Sequence, residues 1–157
     1  MSKTLVAYFS ASGVTAALAK RLAESIGAEL HEIIPQTPYS DADLDWNNSK
    51  SRSSIEMKDK TFRPEIANGV ENMEQYDKIF VGFPIWWYVA PTIINTFLEQ
   101  YDLKGKKVIP FATSGSSGMG NTNKELENSC PGAVLCDGKR FASNAGEEEL
   151  KSWAEQF

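Results

Sequence analysis

Continuous apolar runs that alternate with helical segments are the feature of this chain that most restricts its fold. A run that is apolar at every position, rather than at every second one, is typical of a parallel strand covered on both faces. The alternation therefore predicts an α/β fold, an open doubly wound sheet of five parallel strands with helices on both faces. Pro110 lies inside the fourth run and cannot donate a ladder hydrogen bond, so we expect a bulge or an unpaired position there. The five predicted strands are Thr4–Phe9, Ala28–Ile34, Asp77–Pro84, Lys106–Thr113 and the run GAVLCDG at 132–138. The second of them alternates apolar and polar residues instead, as an edge strand does.

Helical periodicity fills the intervals between these strands. In the first interval an apolar residue recurs every four positions, from Val14 to Ile26, and Gly27 then stops the helix. Four further helices are predicted: a short one within 63–76, one from Pro91, one between the fourth and fifth strands, and one from Gly146 to Gln156.

A polar segment, residues 37–63, interrupts the alternation. A connection of this length is usually either a functional loop or a disordered one. Several large apolar side chains within it favour an ordered flap that packs over another part of the chain. These are Tyr39, Leu44, Trp46, Ile55 and Phe62. The length of 157 residues is expected for one domain, residues 1–157, with the flap inside it.

Charge and composition argue against several classes of function. The chain has 16 Lys and Arg against 21 Asp and Glu, a formal charge of -5, which disfavours binding to nucleic acid phosphates. No apolar stretch approaches the roughly 20 residues of a membrane helix, and no export segment precedes the first strand, so we expect a cytoplasmic protein that does not bind membranes. Cys130, Cys136 and the single histidine, His31, do not form a metal motif. We therefore expect reduced thiols and no metal.

The segment SASGVT, residues 10–15, follows the first buried strand and opens the first helix. Backbone amides at a helix N-terminus attract anions, hydroxyl side chains add donors, and Gly13 allows close approach of the chain. The segment contains no Lys or Arg, so it suits a permanently bound phosphomonoester better than a transferred phosphate. The alternative interpretation is an ordinary helix cap of Ser and Thr.

Other phosphate or nucleophile motifs fail on inspection. The chain has no G-x-x-x-x-G-K-[ST] loop and no G-x-G-x-x-G at its first helix. A phosphatase loop would need a nucleophilic cysteine followed by an arginine, and SASGVT contains neither. Ser12 lacks the flanking glycines of a nucleophile elbow.

Two further loops are expected at the same sheet edge, because the carboxyl ends of parallel strands meet there. The second, PIWWYVAP at 84–91, sets three aromatic residues beside a proline; the third, TSGSSGMGNT at 113–122, is rich in glycine and serine. Large rings on a loop either cover the core or stack on a planar ligand. Next to a phosphate cradle, the planar ligand is favoured.

These three motifs, YFSASGVT, DKIFVGFPIWW and KKVIPFATSGSSGMG, resemble the flavodoxin family, specifically its short-chain FMN-binding branch, over nearly the whole chain. The resemblance implies the strand order 2-1-3-4-5, FMN phosphate held by the first loop, and the flavin ring between the other two loops. The phosphate residues implied are Ser10, Ala11, Ser12, Gly13, Val14 and Thr15. The ring-side residues implied are Pro84, Ile85, Trp86, Trp87, Tyr88, Thr113, Ser114, Gly115, Ser116 and Gly118.

Two positions depart from the family pattern. Flavodoxins typically carry a glycine after the tryptophan of the second loop, whereas Trp86 is followed by Trp87. The third loop has no aromatic residue to cover the second flavin face, which would therefore be open or covered by Tyr39 or Trp46. Both departures favour two-electron chemistry over one-electron transfer.

Three hypotheses for function follow from this. The first is an FMN-dependent electron carrier between redox partner proteins. The second is a small NAD(P)H-linked oxidoreductase that reduces a small-molecule or protein acceptor, with the flavin as the reacting group. The third is a non-redox module that binds another phosphorylated planar ligand.

Overall fold

The sheet predicted from the sequence is present, with all neighbouring strands parallel and the order β2-β1-β3-β4-β5. A computed structural model describes residues 3–11, 13–45, 47–59, 61–86, 89–113, 118–120 and 122–157. Its strands are β1 (Lys3–Tyr8), β2 (Glu29–Glu32), β3 (Tyr76–Pro84), β4 (Lys107–Thr113), β5 (Val134–Leu135) and β6 (Lys139–Phe141). Its helices are α1 (Val14–Ile26), α2 (Arg52–Lys58), α3 (Thr92–Glu99), α4 (Thr122–Leu126) and α5 (Glu147–Ala154).

Of the last predicted strand, 132–138, only β5 forms, and the sequence did not predict the further strand β6, which follows a break opposite Pro110. On its other side Pro110 stays in register with Val81 of β3. On the side of β5 and β6, Lys107 pairs with Val134 and Phe111 pairs with Lys139. Between these two pairs the edge strand therefore has one residue more than β4. Pro110 therefore has no partner in β5 or β6, which is the unpaired position expected as the alternative to a bulge.

Helices cover both faces of the sheet, as predicted. On one face, Leu18 and Leu22 of α1 and Leu150 and Trp153 of α5 pack over Phe80 and its neighbours. On the other face, Ile93, Ile94, Phe97 and Leu98 of α3 pack over alternate residues of the same strands. The continuous apolar runs arise because both sets of strand side chains are buried.

The described residues of the segment 37–63 include α2, which begins after the capping residue Ser51, whose hydroxyl oxygen accepts the Ser54 N–H. The short helix predicted within 63–76 is reduced to a three-residue 3-10 helix at Met73–Gln75. Pro64 and the Asn68-Gly69 pair break the helical pattern there. Two of the apolar flap residues, Ile55 and Phe62, are exposed rather than packed.

The carboxyl ends of β1, β3 and β4 meet at one edge of the sheet, as their parallel registers require. The three loops singled out in the sequence all begin at this edge. Among the described residues, no helix is long and apolar enough to cross a membrane.

Candidate functional site

Backbone hydrogen bonds fix the points at which the three loops leave the sheet. The Phe9 N–H donates to the Gly82 carbonyl at 2.9 Å, which joins the end of β1 to β3. The Ile85 N–H donates to the Thr113 carbonyl at 3.1 Å, which joins the second loop to the end of β4. The loops therefore start from a rigid edge, which is what a precise binding site needs.

The first loop turns into α1 through Gly13, whose φ of 92° lies in the region that favours glycine. The Gly13 N–H donates to the Ser10 hydroxyl oxygen at 3.0 Å, so the turn is closed by one of the predicted site residues. No described atom comes within 4 Å of where a Gly13 Cβ would be, which leaves open space on the loop.

The first turn of α1 presents amides that need partners from outside the helix. The first intrahelical bond of this turn runs from the Ala17 N–H to the Gly13 carbonyl at 3.2 Å. The amides of Val14, Thr15 and Ala16 precede it and carry the positive end of the helix dipole. The first turn contains no acidic residue. This geometry fits a phosphate group held by neutral donors.

Two of the predicted site residues, Thr15 of α1 and Thr113 of β4, bond to each other. Their hydroxyl oxygens are 2.7 Å apart, and the two residues are 1% and 4% exposed. Since one hydroxyl donates and the other accepts, the pair keeps one hydroxyl hydrogen for another acceptor. The contact joins the phosphate loop to the start of the third loop, which sequence reasoning did not foresee.

The second loop is closed at its base by Trp86 and Val89. The Trp86 N–H donates to the Val89 carbonyl at 3.0 Å, and the Val89 N–H donates to the Trp86 carbonyl at 3.1 Å. Pro84, Ile85 and Trp86 are all partly buried. The loop between the two bonded residues is therefore short and tied at both ends.

The Trp86 ring packs in a closed triangle with Phe9 and Tyr39. The ring centroids are 5.8 Å apart for Phe9 and Trp86, 5.5 Å for Tyr39 and Trp86, and 5.6 Å for Phe9 and Tyr39, all with edge-to-face geometry. Phe9 precedes the phosphate loop, Trp86 belongs to the second loop, and Tyr39 belongs to the flap. Three separate segments therefore meet in one aromatic cluster.

The flap side of this cluster is held by a partly buried ion pair. The Arg52 guanidinium lies 3.8 Å from the centroid of the Tyr39 ring, and its Nε donates to Glu56 Oε2 at 2.8 Å. The Tyr39 hydroxyl donates to Glu56 Oε1. Burial, together with the hydrogen bond to Glu56, raises the pKa of Tyr39, so the phenol stays protonated and remains a donor.

The described part of the third loop, residues 118–120, leads into α4. Gly118 is exposed, and the Thr122 N–H donates to the Met119 carbonyl at 3.1 Å. Several predicted site residues lie outside the described residues, as does Trp46 of the flap. They are Ser12, Trp87, Tyr88, Ser114, Gly115 and Ser116.

Four polar or charged residues outside the three loops have structural partners of their own. Arg21 donates to the carbonyls of Ser143 and Ala145 at 3.1 and 2.9 Å, so it links α1 to the segment before α5. Ser54 and Glu56 are buried within the flap. Arg63 donates from Nε and Nη2 to the two carboxylate oxygens of Glu99, at 2.9 and 3.0 Å.

The network around Glu56 was missed by sequence reasoning. Its only visible signal is the four-residue spacing of Arg52 and Glu56, which places both on one face of a helix. That helix was not predicted, because the segment around it is polar and rich in turn residues. The contacts with Tyr39 depend on the folding of the whole flap and have no local signal.

Comparison with known proteins places this geometry in a family. A family model described as Flavodoxin matches residues 3–157. A Bacteroides eggerthii protein assigned as a flavoprotein is 47% identical over 99% of this chain and 98% of its own, with a TM-score of 0.93. A Bacteroides uniformis protein with the same assignment is 49% identical over 98% of both chains, with a TM-score of 0.92.

A flavoprotein of Lactobacillus acidophilus, whose structure is a complex with FMN, is a more distant relative. It is 25% identical over 98% of this chain and 99% of its own, with a TM-score of 0.73. None of the curated proteins matches the chain.

Proposed function

The chain belongs to the flavodoxin family, and on that premise we propose that it is a redox protein that transfers electrons through a non-covalently bound FMN. The observation that carries the proposal is the first turn of α1, where uncapped amides follow Gly13 and a hydroxyl pair joins Thr15 to Thr113. An FMN complex of a Lactobacillus acidophilus relative supports the choice of ligand. When bound, FMN supplies the redox chemistry, and the protein supplies its binding and environment.

The residues of this chain fit FMN in two regions. Ser10, Gly13, Val14 and Thr15 would hold the phosphate with hydroxyl and amide donors, together with Ala11 and Ser12 of the same loop. The ring would lie between residues 84–88 and residues 113–118. A neutral cradle is adequate for an anion, because the helix dipole and several N–H donors act together.

Two-electron chemistry is the finer part of the proposal. Trp86 and Val89 are bonded to each other by two backbone hydrogen bonds, and neither residue between them is a glycine. A peptide flip inside this loop, of the kind that stabilises a half-reduced flavin in flavodoxins, would require a positive φ at a bulky residue, at about 1 kcal/mol or more. The electron donor would be NAD(P)H or a redox partner protein, and the acceptor a small molecule such as a quinone, or a protein.

Photoreduction of the FMN-loaded protein tests the number of electrons. The expected result is direct conversion of oxidised to fully reduced flavin, followed by visible absorption under anaerobic conditions. Substantial accumulation of a one-electron-reduced flavin would instead support a carrier of the one-electron type.

Anaerobic mixing with NADH, NADPH or a reduced ferredoxin tests the donor. Bleaching of the flavin by a nicotinamide within seconds supports the oxidoreductase, and bleaching by ferredoxin alone supports the carrier between proteins. A purified protein that is colourless and takes up no FMN would overturn the whole proposal.

A further inference from the structure

We propose that Tyr39 of the flap is a positioning residue for the flavin, because its ring fixes the chain that leads into both the phosphate loop and the ring-side loop. The inference rests on the proposed function for the identity of the ligand. The contacts by which Tyr39 joins three segments of the chain do not depend on which ligand is bound.

The aromatic triangle places Tyr39 between the two halves of the predicted site. Tyr39 contacts Phe9, which directly precedes Ser10, with ring centroids 5.6 Å apart and planes at 64°. It also contacts Trp86, with centroids 5.5 Å apart and planes at 74°. Edge-to-face pairs at these distances are favourable beyond the area they bury. The position of one ring therefore limits the positions of two others.

Tyr39 also contacts two charged residues of the flap, Arg52 and Glu56, which bond to each other. The Arg52 guanidinium stacks on the ring, and Glu56 accepts hydrogen bonds from both the Tyr39 hydroxyl and Arg52 Nε. Glu56 is only 4% exposed, so removal of either partner would leave a buried carboxylate less well compensated. The ring is therefore fixed more firmly than packing alone would fix it.

Arg52 also ties this unit to the start of the flap. Its Nη1 donates to the carbonyls of Thr37 and Pro38, at 2.7 and 3.3 Å, so the chain before Tyr39 is bound to α2. A lysine could not stack on the ring and make these bonds together, since it lacks the planar fork of donors. The flap is thereby connected to the site through Tyr39.

The sheet does not depend on these contacts. Phe9 and Trp86 follow strands whose ladders are regular up to this edge of the sheet, from Thr4–Lys78 to Tyr8–Gly82 between β1 and β3. Loss of the Tyr39 ring should therefore allow the Phe9 and Trp86 side chains to shift while the sheet stays folded. This separates a positioning role from a purely structural one.

Tyr39→Leu and Tyr39→Phe form the central comparison, with Phe62→Leu as the matched control. Phe62 is an aromatic residue of the same flap that is 42% exposed. Three quantities are measured: the FMN dissociation constant, the visible absorption band of the bound flavin, and the near-UV circular dichroism of the apoprotein. At its long-wavelength end, where tryptophan is the only side chain that absorbs, the last reports the environment of tryptophan without any ligand.

Tyr39→Leu should weaken FMN binding about tenfold, since two aromatic pairs are lost, and should change both spectra. Tyr39→Phe keeps the ring and should bind FMN within about threefold of the wild type, with the wild-type flavin band. Phe62→Leu should match the wild type in all three measurements. Wild-type binding by Tyr39→Phe would show that the aromatic ring, rather than the hydroxyl, positions the residues that bind FMN.

The inference is overturned if Tyr39→Leu is folded and matches the wild type in affinity and spectra, or if Phe62→Leu causes an equal loss. Should Tyr39→Leu fail to fold, Arg52→Met replaces it, and an unchanged affinity and flavin band in that variant overturns the inference. A wild type that takes up no FMN refutes the proposed function instead. The near-UV comparison of the apoproteins then decides the positioning role alone, and an unchanged spectrum in Tyr39→Leu refutes it.

Discussion

At the scale of single residues, Thr15 and Thr113 combine a structural and a functional requirement. Each hydroxyl is buried, and a buried hydroxyl without a partner is costly. Each finds its partner in the other, across two different loops. The shared bond leaves one hydroxyl hydrogen for a ligand, so the same pair can stabilise the fold and contribute to the phosphate cradle.

Replacement of either threonine by valine tests this pair. Thr15→Val or Thr113→Val keeps the side-chain shape but leaves one buried hydroxyl unpaired, which should lower the free energy of unfolding by about 1–3 kcal/mol. The double variant removes both hydroxyls and should be less destabilised than the two single effects added together. Urea unfolding of the four proteins measures the coupling. Strict additivity would show that the two hydroxyls do not bond.

At the scale of elements, the break between β5 and β6 shows how one residue shapes its neighbouring strand. Pro110 removes a donor from β4, and the edge strand responds with a one-residue change of register. Gly138 lies in this break. A Cβ at Gly138 would be 2.7 Å from the Pro110 carbonyl oxygen and 2.5 Å from Met119 Cε, so the chain comes too close there for any other residue.

Gly138→Ala should therefore destabilise the protein by about 1–3 kcal/mol, the usual effect of overpacking. Met119 could move its flexible side chain, but the carbonyl oxygen of Pro110 is backbone and cannot. Asp137→Ala, at the exposed neighbouring position, is the control and should change the free energy of unfolding by less than about 0.5 kcal/mol. Equal stability of the two variants in urea unfolding would contradict the close approach.

The edge strand β2 carries the only histidine of the chain, His31, in a position that disfavours its charged form. Its Nε2 is buried without a hydrogen-bond partner among the described residues, and its ring stacks on Phe97 of α3 with centroids 6.0 Å apart. Burial lowers the pKa of His31 below 6.5. The unfolded chain therefore binds a proton more readily than the folded one.

The contribution of His31 to the free energy of unfolding should therefore be at its maximum above about pH 6.5. The free energy of unfolding should fall as the pH is lowered from there through the pKa of His31 in the folded state. His31→Gln should lack this part of the pH dependence. Urea unfolding of both proteins between about pH 5 and pH 8 isolates the effect, because the carboxylates titrate alike in the two. Identical pH profiles would show that the imidazole titrates normally in the folded state.

The elements that sequence reasoning predicted well are those whose signal is local. Apolar runs identified the strands, and four-residue spacing identified α1, because burial on both faces or on one face leaves a direct pattern. The helix Arg52–Lys58 was missed, since it is short and its buried residues are Ser53, Ser54 and Glu56. Buried residues that are polar leave no hydrophobic pattern to read.

At the scale of the whole molecule, the parallel sheet is what turns three distant loops into one site. The registers of β1, β3 and β4 bring the points at which the three loops begin to one edge. Sequence order could predict this convergence, because the rule depends only on strand direction. It could not predict the triangle of Phe9, Tyr39 and Trp86, which depends on how a long polar segment folds back over that edge.

Convergence of the loops on one ligand predicts that FMN stabilises the entire fold. A ligand that binds only the folded state at about 100 times its dissociation constant should raise the free energy of unfolding by about 2.7 kcal/mol. Riboflavin at the same concentration should raise it less, because it lacks the phosphate that the α1 amides and hydroxyls would hold. Thermal or urea unfolding with each ligand measures the difference.

Two variants test whether the difference between FMN and riboflavin arises at the first loop. Ser12→Ala combined with Thr15→Ala removes two hydroxyl donors and should reduce the stabilisation by FMN while changing that by riboflavin little. Ser152→Ala, at an exposed position on α5, should leave both effects intact. Equal stabilisation by FMN and riboflavin in the wild type would mean that the phosphate is not recognised. Full stabilisation of the double variant by FMN would mean that the amides alone, without the hydroxyls of Ser12 and Thr15, hold the anion.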